Sequence, residues 1–356
     1  MHPVLFCLLA ASPQAPPAPD AGRISLDLIN DAWSTGLDEG FSSRFRIVNR
    51  VRPWMGRGFS AWLPQAWEDD LVAEYWSAAA LFDIYSPTDL EADRVVDLLD
   101  DRPYAGYIAG VLGLDFVFRG SPITGEGFHN LATSLEVGLV GPGTGAGDFQ
   151  REWHRVLREL LNRNVTPRDP MGWGVYEVPE SVLVGLRARY EAEFFRKEWA
   201  PKRPDRAIKD GSAPRMLMSG FLDTTLGTRK TSLGLGATFR AGLLPEMVSE
   251  GILPISSWSN GGRPRRPFQL YFQAGVGMEM VAFDAFLDGP LGTDGPRVDR
   301  RPVNGRLEAG LVLRIGHFEL FYRHMVLTRE IEDVPPIGVK VQQLGQFILT
   351  WAWGKT

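Results

Sequence analysis

The side chains in this sequence best suited to chemistry are one helical histidine, an Asn-Asp pair and a serine. His154 lies in the segment DFQREWHRVLRELLN, where Trp153, Val156, Leu157, Leu160 and Leu161 recur at helical spacing after the Gly-rich turn 141–147. Gln150 precedes His154 by one helical turn, so the two project from one side. A neutral imidazole takes a proton from water near neutral pH, although a histidine beside leucines is more often structural. Asn30 and Asp31 close a strand-like stretch and offer hard oxygen ligands; the same pair is ordinarily a turn signal. Ser42 alone is unremarkable. The turn 141–147 lacks the Lys-[Ser/Thr] ending of a phosphate loop. No G-x-S-x-G elbow is present, so any hydrolysis falls to direct attack by water.

These residues must be positioned by strands. Residues 23–29, 107–118 and 182–194 alternate apolar and polar side chains. In the last of them Val182, Val184, Leu186, Tyr190 and Phe194 share one parity, and Arg187, Arg189, Glu191 and Glu193 the other. A face that charged suits a polar lumen, not an apolar core. Further candidate strands are 41–50, 72–84, 129–140, 214–225, 230–241, 267–284, 303–315, 317–327 and 342–353, which makes twelve. An even number closes a single-chain bacterial barrel. The last strand ends in Phe347, Trp351 and Trp353, and the chain has 11 tryptophans, which fits aromatic girdles, although a soluble β-sandwich core would hold them as well. The sequence therefore predicts an all-β protein, a transmembrane antiparallel barrel of about 12 strands, with a short helix between strands 5 and 6.

Composition narrows the partners. With 38 basic and 43 acidic residues the chain gives no reason to expect nucleic acid. The single cysteine, Cys7, leaves no disulfide or thiolate metal site in the rest of the chain. Residues 1–21 read as a signal peptide, an apolar run from Val4 to Ala11 followed by a Pro- and Ala-rich stretch, and 22–356 as one barrel domain. Beyond it no window reaches the roughly 18 to 20 apolar residues of a membrane-spanning helix.

Four motifs, in order, resemble the outer-membrane lipid A 3'-O-deacylase family, often called the LpxR family. They are Asn30-Asp31, Gly40-Phe41-Ser42-Ser43, Asp101-Arg102-Pro103-Tyr104-Ala105-Gly106, and Gly141-Pro142 followed by Gln150 and His154. Ile84 to Pro87, and Gly172-Trp173 followed by Glu180, add to them. The resemblance implies a site near the extracellular rim, between the wall and the inserted helix. It implies His154 as general base, Asn30 and Asp31 as an essential polar pair, Ser42 as an essential hydroxyl, and calcium held by Asp31. The implied reaction is hydrolysis of the ester-linked 3'-acyloxyacyl group of lipid A, in lipopolysaccharide, at the cell outer membrane by a monomer. Candidates for substrate contact are Gln150, Arg44, which stands where relatives usually have glycine, and Arg94, the cation nearest Ala92, where some relatives have lysine. Asn30 follows the parity of Leu28 and Asp31 that of Ile29, so both serve one site only if the strand ends or bulges there. The competing readings are a non-catalytic barrel and a soluble secreted β-protein.

Overall fold

The computed structural model describes residues 23–30, 43–51, 65–68, 70–87, 89–92, 94–99, 101–160, 169–199, 213–244, 268–332 and 341–352. Its strands are β1 (Arg23–Asn30), β2 (Ser43–Val51), β3 (Leu71–Tyr85), β4 (Ala105–Arg119), β5 (Phe128–Val140) and β6 (Ser181–Glu198). They continue as β7 (Ala213–Gly227), β8 (Lys230–Leu244), β9 (Phe268–Asp284), β10 (Val303–Ile315), β11 (Phe318–Thr328) and β12 (Val341–Ala352). Two one-turn helices, α1 (Gln65–Glu68) and α2 (Val95–Leu98), and one long helix, α3 (Ala146–Leu160), interrupt them. Each strand pairs antiparallel with its sequence neighbours, and β1 pairs with β12 from Arg23↔Ala352 to Asn30↔Gly345, closing the barrel. No helix among the described residues is long and apolar enough to cross a membrane.

All twelve expected strands are present, and α3 lies between β5 and β6 as expected. Bulges interrupt the alternation. In β6 the register shifts between Glu193 and Phe195, so that Phe194, half-buried on the outer face beside Gly220, is followed by a second outward residue, the exposed Phe195. The register also shifts between Leu71 and Ala73 and between Thr231 and Ser232, whereas alternation is strict at the start of β9: Phe268, Leu270 and Phe272 are exposed, and Gln269, Tyr271 and Gln273 between them are buried.

Both β1 and β12 have their terminal residues at one end of the barrel, here the terminal end; Asn30, the start of β2 and α3 lie at the other, the helix end. Toward the terminal end, Leu217, Leu244, Tyr271, Val312, Phe321 and Ile348 pack inside the lumen. Charged side chains fill the middle in pairs. Arg240, 1% exposed, donates to Glu191 (3.0 Å), Gln273 (3.0 Å) and Ser219 (3.1 Å). Arg187 pairs with Asp223, and Lys230 with Glu279 at 2.8 Å. At the helix end Phe286 turns inward between Tyr85 (4.8 Å between ring centroids) and Tyr107 (5.4 Å), and Arg229 reaches Glu136 at 3.2 Å. This layer roofs the lumen.

Arg240→Ala leaves Glu191 buried beside a hydroxyl and a more distant arginine, so the folded barrel should lose about 3–5 kcal/mol. Urea unfolding in lipid vesicles reads this as a lower midpoint. An unchanged midpoint would show that the Arg240 pair contributes nothing to lumen stability.

Candidate functional site on the outer wall

The helix α3 lies against the outside of the barrel. Inward parity on β3 and β4 belongs to Asp83 and Tyr107, so Phe82, Ile84, Gly106 and Ile108 face outward. Ile108 is 44% exposed, yet Ile84 is only 1% exposed, because it is covered by Tyr104, Ala146, Trp173 and Leu90. Gly106 makes this contact close. A Cβ there would fall 2.1 Å from Thr144 Oγ1 and 2.3 Å from Ala146 Cβ, so the last residue of the Asp101 to Gly106 motif has to lack a side chain. Before the helix, Gly141 adopts φ 105°, which favours glycine, and Glu180 accepts a hydrogen bond from the Gly143 N–H at 3.1 Å.

From Gly106 the helix crosses the wall toward β2. Phe149 packs edge-on against Phe82 of β3 (5.3 Å) and Phe45 of β2 (5.6 Å), both in the outward row. The buried stripe of α3 is Ala146, Gln150 and His154, each 2% exposed or less. The expected apolar stripe is only partly covered: Trp153 stacks on Phe149 at 6.5 Å and remains 40% exposed. Two charged or polar groups are thus sequestered where leucines were the obvious anchors. Gln150 Oε1 accepts a hydrogen bond from Trp173 Nε1 at 2.7 Å, which ties the helix to the loop before β6.

The other predicted residues fall on both sides of the wall. Asn30 ends β1 on the outward parity, and Ile29↔Arg44 and Ser43↔Ile84 put it level with Ser43, Ile84 and Gly106. Asp31 and Ser42 lie outside the described residues. Arg44 faces the lumen, where it donates to both oxygens of Asp83 at 2.7 and 2.6 Å, so the structure does not bring it to the helix face. Arg94 is exposed at the start of α2. Among the described residues no three His, Cys, Asp or Glu side chains form a metal-sized group.

Sequence reading missed Trp173 as the partner of Gln150 and Gly106 as the docking point; a glycine in an outward strand position at the rim was the available signal. It also missed Glu177, which pairs across the start of β4 with Tyr104. Burial pushes the Glu177 carboxyl up to about 7, partly opposed by the Gly174 N–H at 3.1 Å and by Arg151 on α3.

The model of the family described as "Outer membrane protein LpxR" matches residues 4–353. The chain belongs to the LpxR family. It is an outer membrane β-barrel. LpxR from Salmonella typhimurium has the same fold, with a TM-score of 0.68 at 13% identity over 93% of this chain and 100% of that one. The β domain of the Bordetella autotransporter BrkA (TM-score 0.40, 10% identity, 94% and 99% covered) and the translocator domain of NalP from Neisseria meningitidis (0.37, 10%, 95% and 89%) are likenesses too low to argue from. No curated protein sequence matches the chain.

Two outcomes follow for this LpxR-family barrel. Gly106→Val should lift α3 off the wall while the strands stay closed: trypsin cuts faster after Arg151, Arg155 and Arg158, and heat-modifiable gel mobility is kept. Unchanged cleavage would show that the helix is held without that contact. Because the Glu177 pKa is raised, its folded carboxyl binds a proton that the unfolded one has lost, so its contribution to stability falls as pH rises from the ordinary carboxylate range to about 7. Amide protection across residues 172–178, corrected for intrinsic exchange, should fall over that window in the parent and stay level in Glu177→Gln.

Proposed function

We propose that this chain hydrolyses the ester-linked 3'-acyloxyacyl group of lipid A, with water activated by His154. Membership of the LpxR family supports a lipid A-modifying role at the outer membrane. The observation that carries the finer reading is the burial of His154 on a helix laid against the lipid-facing side of the wall. A lipid substrate approaches that side without leaving the bilayer.

The course of α3 supports grouping His154 with Asn30. From Ala146 to His154 a helix advances about 12 Å. Three strand spacings, from Gly106 on β4 to Asn30 on β1, amount to about 14 Å. A helix starting at Gly106 and passing over Phe82 and Phe45 therefore heads for the rim of β1 and β2, where Asn30 and Ser43 stand. Imidazole Nδ1 or Nε2 takes the proton of the attacking water, and then returns it to the departing sugar hydroxyl. The Asn30 amide and the Ser42 hydroxyl donate hydrogen bonds toward the carbonyl oxygen as it gains charge. Gln150, held by Trp173, fixes the helix face from which His154 projects.

Calcium is the proposed ion. Asp31 supplies its carboxylate and Asn30 an amide oxygen, a donor set that suits a hard cation. Asp83 is committed to Arg44 on the other side of the wall and is not a candidate ligand. A bound calcium would polarise the ester carbonyl.

The test is release of 3-acyloxyacyl fatty acid from lipid A by the folded barrel, followed by mass spectrometry. His154→Gln should keep the heat-modifiable band and lose about a hundredfold to ten-thousandfold in rate. In a parallel arm, a calcium-selective chelator should abolish release and added calcium should restore it. Near-normal turnover by folded His154→Gln would sink the base assignment, and full activity under chelation would remove the metal.

A further inference from the structure

The lumen holds a second candidate site, separate from the outer wall. Between the roof at Phe286 and the apolar packing at the terminal end is a chamber of about 380 Å3. Among the described residues nine Arg and Lys and six Asp and Glu line it. Arg187, Glu279 and Arg306 face inward and yet keep 38%, 36% and 35% of their side-chain surface exposed, so the chamber is wet. Five of the six carboxylates are engaged by cations, Asp83 by Arg44, Glu136 by Arg229, Asp223 by Arg187, Glu279 by Lys230 and Glu330 by Arg102.

A polar belt crosses one side of this chamber over five adjacent strands. Arg46 on β2 stands 3.6 Å from Asp27 on β1; Asp27 accepts from Gln346 on β12 at 2.6 Å, and Gln346 accepts from Arg323 on β11 at 2.8 Å. Arg323 reaches Glu308 on β10 at 3.2 Å, and Arg306 reaches the same carboxylate at 3.4 Å. Three guanidinium groups thus share two carboxylates. The belt is also incomplete in hydrogen bonds. Arg46 is 7% exposed, its Nε has no hydrogen-bond partner, and its contact with Asp27 is longer than a hydrogen bond. Unused donors on a buried cation are costly. A water between Arg46 and Asp27 would fill the gap but leave the excess positive charge. A doubly charged tetrahedral oxyanion would meet both needs, because its oxygens accept from several guanidinium forks at once. The closed strand ladder separates the chamber from lipid, so the ligand is a diffusible ion and not a headgroup.

We propose that the luminal chamber binds a small oxyanion of the phosphate or sulfate class, held over the belt by Arg46, Arg323 and Arg306. This does not depend on the hydrolase reading, since His154, Gln150 and Asn30 lie on the other side of the wall.

Inorganic phosphate is the probe. Equilibrium dialysis of labelled phosphate against the folded, detergent-solubilised barrel, with chloride holding ionic strength constant, should show saturable binding of one ion per chain. Phosphate should also raise the unfolding temperature above that in equal ionic strength of chloride. Arg306→Gln and Arg46→Gln should each weaken binding about tenfold or more, as loss of a charge-assisted hydrogen bond does. Arg155→Gln, on the exposed side of α3, should leave it unchanged. Two variants guard against misassembly, and the heat-modifiable band identifies those that fold. Non-saturable uptake would overturn the proposal. So would undiminished binding in folded Arg306→Gln and Arg46→Gln, or binding lost in Arg155→Gln alone, which would move the anion to the outer surface.

Discussion

Everything in this molecule depends on pairing the backbone where no water can reach it. In hydrocarbon an unpaired N–H or C=O costs several kcal/mol, so the first strand has to meet the last. The eight pairs from Arg23↔Ala352 to Asn30↔Gly345 do this. Once the ladder is closed, side chains have only two destinations, and strict alternation sends neighbours to opposite solvents. Outward rows such as Phe268, Leu270 and Phe272 follow from that, and so does the crowd of inward charges, which must then neutralise one another.

The two faces solve different problems. Inside, arginine is favoured because a planar fork satisfies several acceptors, as Arg240 does with Glu191, Gln273 and Ser219. Outside, the contacts that hold α3 to the wall include close shape at Gly106 and aromatic rings at Phe45 and Phe82. Its polar stripe, Gln150 and His154, is then buried, with Gln150 held by the Trp173 loop. A hydrophilic pair is kept dry at the edge of a lipid-facing surface.

The barrel was legible in the sequence because its signal is local: period-two alternation survives in each strand, and twelve such stretches give the closure directly. The bulge at Phe194 was not, since an extra residue changes parity without changing residue type. At the candidate site the helix, the burial of His154 and the partial burial of the apolar stripe illustrate the same limit. Helical spacing fixes which residues share a side, but not which side meets the wall. That was decided by Gly106, forty residues earlier and on another element. Arg44 shows the converse. Its place in the sequence beside Ser43 suggested a common site, whereas strand parity sends it to Asp83 in the lumen.

The adjacency of Ser43 and Arg44 also bears on how this barrel can change over evolutionary time. One peptide bond separates an outward strand position from an inward one, and the same is true of Ile29 and Asn30 on the facing strand. Substitutions can therefore rework the interior without touching the exterior. Insertions and deletions cannot. Losing a single residue within β2 would reverse every position beyond it, turning the guanidinium groups of Arg44 and Arg46 toward hydrocarbon and Phe45 into the ion-paired lumen. Within a strand a change of length is absorbed only by a bulge, as between Glu193 and Phe195, and the loops are where length can vary without reversing a face.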